Sequence, residues 1–413
     1  MRVLFTCPSG FSHLRSTLSL AEGLEQAGHE VAYATSASFV PAIRSAGYRA
    51  FAAGRDYQES KPDTFPELFS AAPAGNGLTV FAALAGQGVV EDLDRVIDEW
   101  RPGLVIRNLI EFGGWLAAER AGLPVATMTP SIDLPAPVLV SFTGDLLTHE
   151  LPLRYGLEPD PQLKRLYSYP YLSTLPAEMT PSGFPPPPRV FRLRDHRVEL
   201  GRDDQAALPE WAKTLGSRPL VHVAFGTIFG SSAEARKINE MVFAALAPEP
   251  VDVILAIGPE NDPDDYGPRP ENVRIVRHIN AYRAFFERCD VLVNNAGPGT
   301  LKFAMAAGVP VCLMPFHAEG PMIARQIHSL GAGLLCTGIP EDRRPFPAVD
   351  LDRLRPEHVR DNVRRLLTDR EFAGRMAGLG RQAGSLASAA DAVPWLMAAV
   401  QDQPQGRSHP VSS

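Results

Sequence analysis

The chain has 413 residues, 45% of them hydrophobic and 21% charged, which is longer than one core usually serves, so two soluble domains are expected. A net charge of -7 excludes the basic excess that a nucleic-acid partner requires. No apolar run approaches the ~18 residues of a membrane span, and Val3-Leu4-Phe5 opens a strand rather than a signal peptide, so a cytoplasmic location is expected.

In chain order, residues 2–7 read as a strand, followed by the turn Pro8-Ser9-Gly10-Phe11-Ser12-His13 and an amphipathic helix over 14–27 that stops at Gly28. Strands at 31–35 and 48–52 flank a helix at 39–46, the alternation of a doubly wound parallel sheet. Residues 55–80 are rich in proline, glycine and small polar residues and read as a loop. A helix over 89–100, a strand at 104–106, a helix over 111–121 and a strand at 125–128 complete the first alternation. The stretch 129–183 is expected to be irregular, and Pro185 to Pro188 are stiff and extended.

A second alternation begins at strand 220–225 and continues with helix 233–246, strands 251–257 and 273–276, and helix 281–288. Strand 333–336 and helices at 323–329, 356–367, 370–379 and 390–400 follow, with a disordered tail after Asp402. The expected domains are 1–200 and 218–390, with a linker at 201–217 and a C-terminal helix and tail at 391–413. Two Rossmann-like doubly wound domains of this kind are expected to face each other across a cleft. Cys7, Cys289, Cys312 and Cys336 form no C-x-x-C pair and read as core thiols.

The most informative stretch runs from Val291 to Pro315. A short apolar strand breaks at Asn295-Ala296-Gly297-Pro298-Gly299-Thr300 and resumes as a small-residue helix. Backbone N–H groups at such a helix start, together with the helix dipole, suit a phosphate, and glycine lets the anion approach. The same pattern also serves as an ordinary strand-to-helix turn.

These residues, with Leu208-Pro209-Glu210-Trp211, the run Val221 to Thr227, Gly308-Val309-Pro310 and the run Met314 to Pro321, resemble GT-B-fold glycosyltransferases of the actinobacterial natural-product type. The resemblance implies an inverting, metal-independent transfer of a sugar from a dTDP- or UDP-sugar to a hydrophobic small-molecule acceptor. It implies no cofactor beyond that donor, and it leaves a homodimer open. His13 holds the place of the family's catalytic base, a role that suits a neutral imidazole near neutral pH.

The sequence departs from the family at several positions. Asn108 stands where an acid usually orients the histidine. Glu111 is weighed as its substitute and, with better odds, as a charge favouring the helix N-terminus. In the donor half Thr227, His278, Asn295, Gly297, Pro298, Gly299, Thr300 and Glu319 match nucleotide-sugar positions. Asn295 replaces a histidine, Phe303 replaces an acid that touches the ribose, and Glu319-Gly320 replaces an Asp-Gln pair. Fewer hydroxyl partners suit a deoxygenated sugar, because unpaired buried polar groups cost about 1–3 kcal/mol each. These departures also admit a catalytically degenerate glycosyltransferase-fold protein acting as an auxiliary partner. A sugar-nucleotide epimerase ranks last, because the turn after the first strand carries one glycine and no G-x-G-x-x-G.

Overall fold

The computed structural model describes residues 1–58, 61–67, 76–195, 208–226, 233–258, 261–279, 282–316, 319–338 and 348–401. Thr227, residues 201–207 of the expected linker and the tail beyond Gln401 lie outside the described residues. The described residues form two compact units. One is Met1–Asp195 with the segment that begins at Leu386, and the other is His196–Ser385.

The N-terminal unit is built on seven parallel strands: β1 (Arg2–Thr6), β2 (Glu30–Thr35), β3 (Arg49–Ala52), β4 (Leu104–Asn108), β5 (Val125–Thr129), β6 (Tyr171–Ser173) and β7 (Val190–Arg192). Their order across the sheet is β3-β2-β1-β4-β5-β6-β7. The C-terminal unit has six: β8 (Leu220–Ala224), β9 (Asp252–Ala256), β10 (Val273–Val276), β11 (Val291–Asn294), β12 (Val311–Leu313) and β13 (Gly333–Leu335). Their order is β10-β9-β8-β11-β12-β13. Both are doubly wound sheets in which the winding reverses beside the unit's first strand, between β1 and β4 and between β8 and β11. That reversal leaves a crevice at the carboxyl ends of the strands, where ligands of such folds bind.

The strands are near-continuous runs of Val, Leu, Ile and Ala because helices cover both faces of a parallel sheet. Val3, Phe5, Val31, Tyr33, Leu104 and Ile106 pack against Leu20 and Leu24 of the helix Phe11–Gln26. Val221, Val223, Val253, Val291 and Val293 play the same part against Ile238, Val242 and Val363.

The last helix, Ala389–Gln401, belongs to the N-terminal unit although it follows the C-terminal unit in the chain. Its Ala392, Val393, Leu396 and Val400 complete the core of the N-terminal unit. The stretch expected to be irregular carries helices Ala136–Thr143, Leu151–Arg154 and Lys164–Ser168 as well as β6. Proline-rich spacing hides them, because each is short and the first two carry a proline in their first turn. Residues 76–80 of the expected loop belong to the helix Asn76–Leu84. No described helix is long and apolar enough to cross a membrane.

Candidate functional site

In the N-terminal unit the candidate residues gather at the carboxyl end of the sheet beside the β1–β4 switch. β1 ends at Thr6, and the helix Phe11–Gln26 starts after Gly10 with no side-chain cap and no acid in its first turn. His13 is the third residue of that helix and is half-buried; its N–H bonds the Gly10 carbonyl at 3.1 Å, and its carbonyl accepts from the Ser16 hydroxyl at 2.6 Å. Asn108 closes β4. Its Oδ1 accepts from the Ile110 N–H at 3.3 Å, while its Nδ2 is buried with no hydrogen-bond partner among the described residues.

Glu111 is not a helix residue, contrary to the expected 111–121 span: the helix is Gly113–Arg120. The Glu111 carboxylate caps that helix, accepting the Gly113 N–H at 2.7 Å and the Gly114 N–H at 2.9 Å, and it also accepts the Thr6 hydroxyl. A methyl at Gly113 would overlap Val89, and one at Gly114 would overlap the Thr6 hydroxyl, so two glycines open this helix despite their poor helix propensity. Burial raises the Glu111 carboxyl above the usual carboxylate range, and the hydrogen bonds from Thr6, Gly114 and Gly113 and the nearby Arg107 oppose that rise.

Arg107 braces the same loop from below. Fully buried, it donates to the carbonyls of Asn108 at 2.9 Å, Leu109 at 2.9 Å and Glu111 at 3.0 Å, and its guanidinium lies 5.0 Å from the Phe112 ring. Burial lowers it to about 10, which leaves it charged at neutral pH. The Thr6–Glu111–Gly113–Gly114 set was not singled out from the sequence. The only local signal is a Gly-Gly pair after an acid, because Thr6 reaches it through sheet pairing alone.

Beside this set lies a cavity of about 480 Å³, counted to its open mouth, with Thr6, Thr35, Arg55, Tyr57 and Glu111 among its lining residues. Its far wall comes from Leu84, Val89 and Leu93, where the helix Asn76–Leu84 passes into the helix Val90–Trp100 through a π-turn. Gly88, at φ 86°, supplies the left-handed residue that this kink needs.

In the C-terminal unit β11 runs into Asn295-Ala296-Gly297 and then the helix Pro298–Ala307. Asn294 ties the turn to the neighbouring strand: its Nδ2 donates to the Ala224 carbonyl at 2.5 Å and its Oδ1 accepts the Gly297 N–H at 3.0 Å. Ala296 sits at φ 65°, a left-handed conformation held by this bracing. Among the described residues no side chain caps the helix start and nothing lies within 4 Å above Gly299, and Pro298 has no N–H, so the Gly299 and Thr300 amides head a positive helix end.

Glu319 precedes the helix Gly320–Ser329, and a methyl on Gly320 would lie 2.9 Å from the Asn295 carbonyl. That close approach places Glu319-Gly320 beside Asn295 and accounts for the glycine. His278 is exposed and rests 5.9 Å from Tyr282, whose ring is 5.3 Å from Phe303 of the cradle helix. Asn295, Gly297, Pro298, Gly299, Thr300 and Glu319 are thus brought together, and His278 joins them through two aromatic rings.

The profile of the erythromycin biosynthesis protein CIII-like C-terminal domain matches residues 240–377, which include this cradle. Over the whole length, the chain is 25% identical to the aclacinomycin-T 2-deoxy-L-fucose transferase of Streptomyces galilaeus, covering 96% of this chain and 95% of that one. It is 28% identical to the demethyllactenocin mycarosyltransferase of Streptomyces fradiae, covering 93% and 84%. The chain is a GT-B-type glycosyltransferase. Its fold matches the spinosyn forosaminyltransferase SpnP with a TM-score of 0.73 at 22% identity over 97% of this chain and all of that one. The glycosyltransferase VinC, solved in complex with dTDP, matches with a TM-score of 0.69 at 24% identity over 98% of this chain and all of that one. In this glycosyltransferase the strand order of each unit and the uncapped helix at Pro298 are the features that carry a nucleotide-binding fold.

Proposed function

We propose that the protein transfers a deoxygenated sugar, with inversion and without a metal or further cofactor, from a dTDP-sugar to a hydrophobic natural-product acceptor. The observation that carries this reading is the uncapped start of Pro298–Ala307, with open space over Gly299. The Gly299 and Thr300 amides and the helix dipole take the charge that builds on the diphosphate as the anomeric C–O bond breaks. The hydroxyl of Thr300 and the amide of Asn295 add neutral donors, where a histidine is usual. His13 takes the proton from the acceptor hydroxyl as its oxygen attacks the anomeric carbon from the opposite side.

Glu319 accepts from sugar hydroxyls. Gly320, pressed against the Asn295 carbonyl, has no room for a second polar side chain. A donor with fewer hydroxyls leaves fewer buried partners unmade there. The names of two relatives, a 2-deoxy-L-fucose transferase and a mycarosyltransferase, support this preference, and the dTDP complex of VinC supports dTDP over UDP.

Calorimetry with dTDP and UDP tests the reading. dTDP is expected to bind more tightly and Gly299→Trp to abolish its binding. His13→Ala is expected to keep dTDP affinity while lowering turnover about a hundredfold or more. Absence of binding by either nucleotide at millimolar concentration overturns the donor site and leaves an auxiliary protein as the surviving reading.

A further inference from the structure

The helix Pro298–Ala307 turns Leu301, Lys302, Ala304 and Met305 inward, where they are buried. Its partly open stripe carries Gly299, Phe303 and Ala306, spaced four and three residues apart on one face. Phe303 is half-buried there, between a glycine and an alanine. Helix propensity does not account for it, because alanine forms helix better and leaves no large ring partly in water.

The surroundings of this ring show what it faces. A helical side chain leans back toward the N-terminus, so Phe303 covers the turn that begins at Gly299, about 5.4 Å away along the axis. Beyond its chain neighbours, no described residue lies within 4 Å of a methyl placed on Gly299, so a gap separates the ring from the helix-start amides. On its other side the ring continues into a row. Phe303 stands 5.3 Å from Tyr282 and stacks on Phe286 at 6.2 Å, and Tyr282 stands 5.9 Å from the exposed His278.

The order along this ledge is amides, one apolar ring, then two further rings. A nucleoside diphosphate has the matching order of phosphates, pentose and base, so the ring beside the amides meets the pentose. Phenylalanine has no donor or acceptor, and a hydroxyl turned against it loses water without gaining a partner. The 2′- and 3′-hydroxyls of ribose share one edge of the sugar, so ribose sets a hydroxyl against the ring. Deoxyribose presents its bare C2′ instead. The farther rings meet the base by its face, which thymine and uracil have in common.

We propose that Phe303 selects 2′-deoxyribose over ribose in the donor nucleotide, reading the missing 2′-hydroxyl rather than the thymine methyl. This rests on the reading of the Pro298–Ala307 start as the diphosphate seat. Phe303 touches the pentose and no reacting atom, so it decides which donors are taken and leaves the transfer step to other groups.

The test is calorimetry of the wild type, Phe303→Leu and Phe303→Gln with four diphosphates that separate sugar from base: dTDP, dUDP, UDP and ribothymidine diphosphate. In the wild type the two deoxynucleotides are expected to bind within about fourfold of each other, the worth of one methyl group. The two ribonucleotides are expected to bind about tenfold or more weakly, the effect of one unmet hydrogen bond. Phe303→Leu should keep that gap, and Phe303→Gln, whose amide pairs with a hydroxyl, should close most of it. If Phe303→Gln fails to fold, Phe303→Tyr makes the same comparison with the ring retained. A gap that follows the methyl, with dTDP and ribothymidine diphosphate together above dUDP and UDP, overturns the proposal. A gap that Phe303→Gln leaves intact, or an equal loss of all four affinities in both variants, overturns it as well and leaves the ring a packing residue. Equal binding of all four by the wild type overturns the proposal while the diphosphate seat stands. Binding of none overturns the seat and the proposal together.

Discussion

Glu111 and His222 show how far a residue's surroundings decide its chemistry. From its place before an apolar helix, Glu111 reads as a substitute orienting acid or, with better odds, as a charge at a helix start. Its carboxylate is held by Gly113, Gly114 and Thr6, which is the helix-start role with a strand hydroxyl added. His222 reads from the sequence as one more residue of a buried strand. Its Nδ1–H donates to the Ile254 carbonyl at 3.0 Å, and the rings of Phe285 and Phe286 stand edge-on at 5.0 and 5.5 Å. Burial lowers it from 6.5 to about 4, so the folded state refuses a proton that the unfolded chain accepts. The stability it contributes is fully present above pH 6.5 and lost as pH falls toward 4, about 3 kcal/mol in all. Urea unfolding at pH 7 and pH 4.5 checks this: His222→Phe should lose less stability between the two than the wild type. Equal losses would mean that the imidazole finds a way to charge inside the fold.

At the scale of elements, the cradle helix Pro298–Ala307 is held from behind. The helix Arg370–Gly384 packs on it through glycine and alanine: a methyl on Gly380 would overlap the Met305 carbonyl, and one on Gly308 would lie 3.1 Å from the Ala377 Cβ. Gly380→Ala should therefore push the two helices apart at a cost of about 1–3 kcal/mol, the usual range for overpacking. Because the displaced helix carries the Gly299 and Thr300 amides, dTDP affinity should fall with the melting temperature. A lower melting temperature with unchanged affinity would show that Asn294 alone sets the turn. The glycines of the cradle were legible in the sequence because they sit in a motif. Gly380 was not, since it looks like one more small residue in a periodic helix and its partner is seventy-five positions away. Gly320 was legible as a departure from the family pattern, but its reason, the Asn295 carbonyl, was not.

For the whole molecule, the chain does not end where its second sheet does. Ala389–Gln401 supplies Leu396, Val393 and Val400 to the core of the N-terminal unit. Each buried aliphatic side chain is worth about 1.5–3 kcal/mol, so losing three removes most of a domain's ordinary margin. Truncation after Ser385 is expected to unfold the N-terminal unit while the C-terminal unit still binds dTDP, as read by hydrogen exchange and calorimetry. Full protection of β1 and β4 in the truncated chain would overturn this. The sequence by itself determined the class of fold, the two alternations of strand and helix, and the place of the glycine-bearing strand-to-helix turn at 295–300. Periodicity, glycine and proline act within a few residues, and those signals survive in one dimension. Tertiary structure alone decided which unit the last helix completes, that Thr6 meets Glu111, that Arg107 is buried under the loop, and that Thr35 opens on a cavity. Each of these depends on residues brought together by strand order, and strand order is set by burial of whole faces rather than by any local run of amino acids.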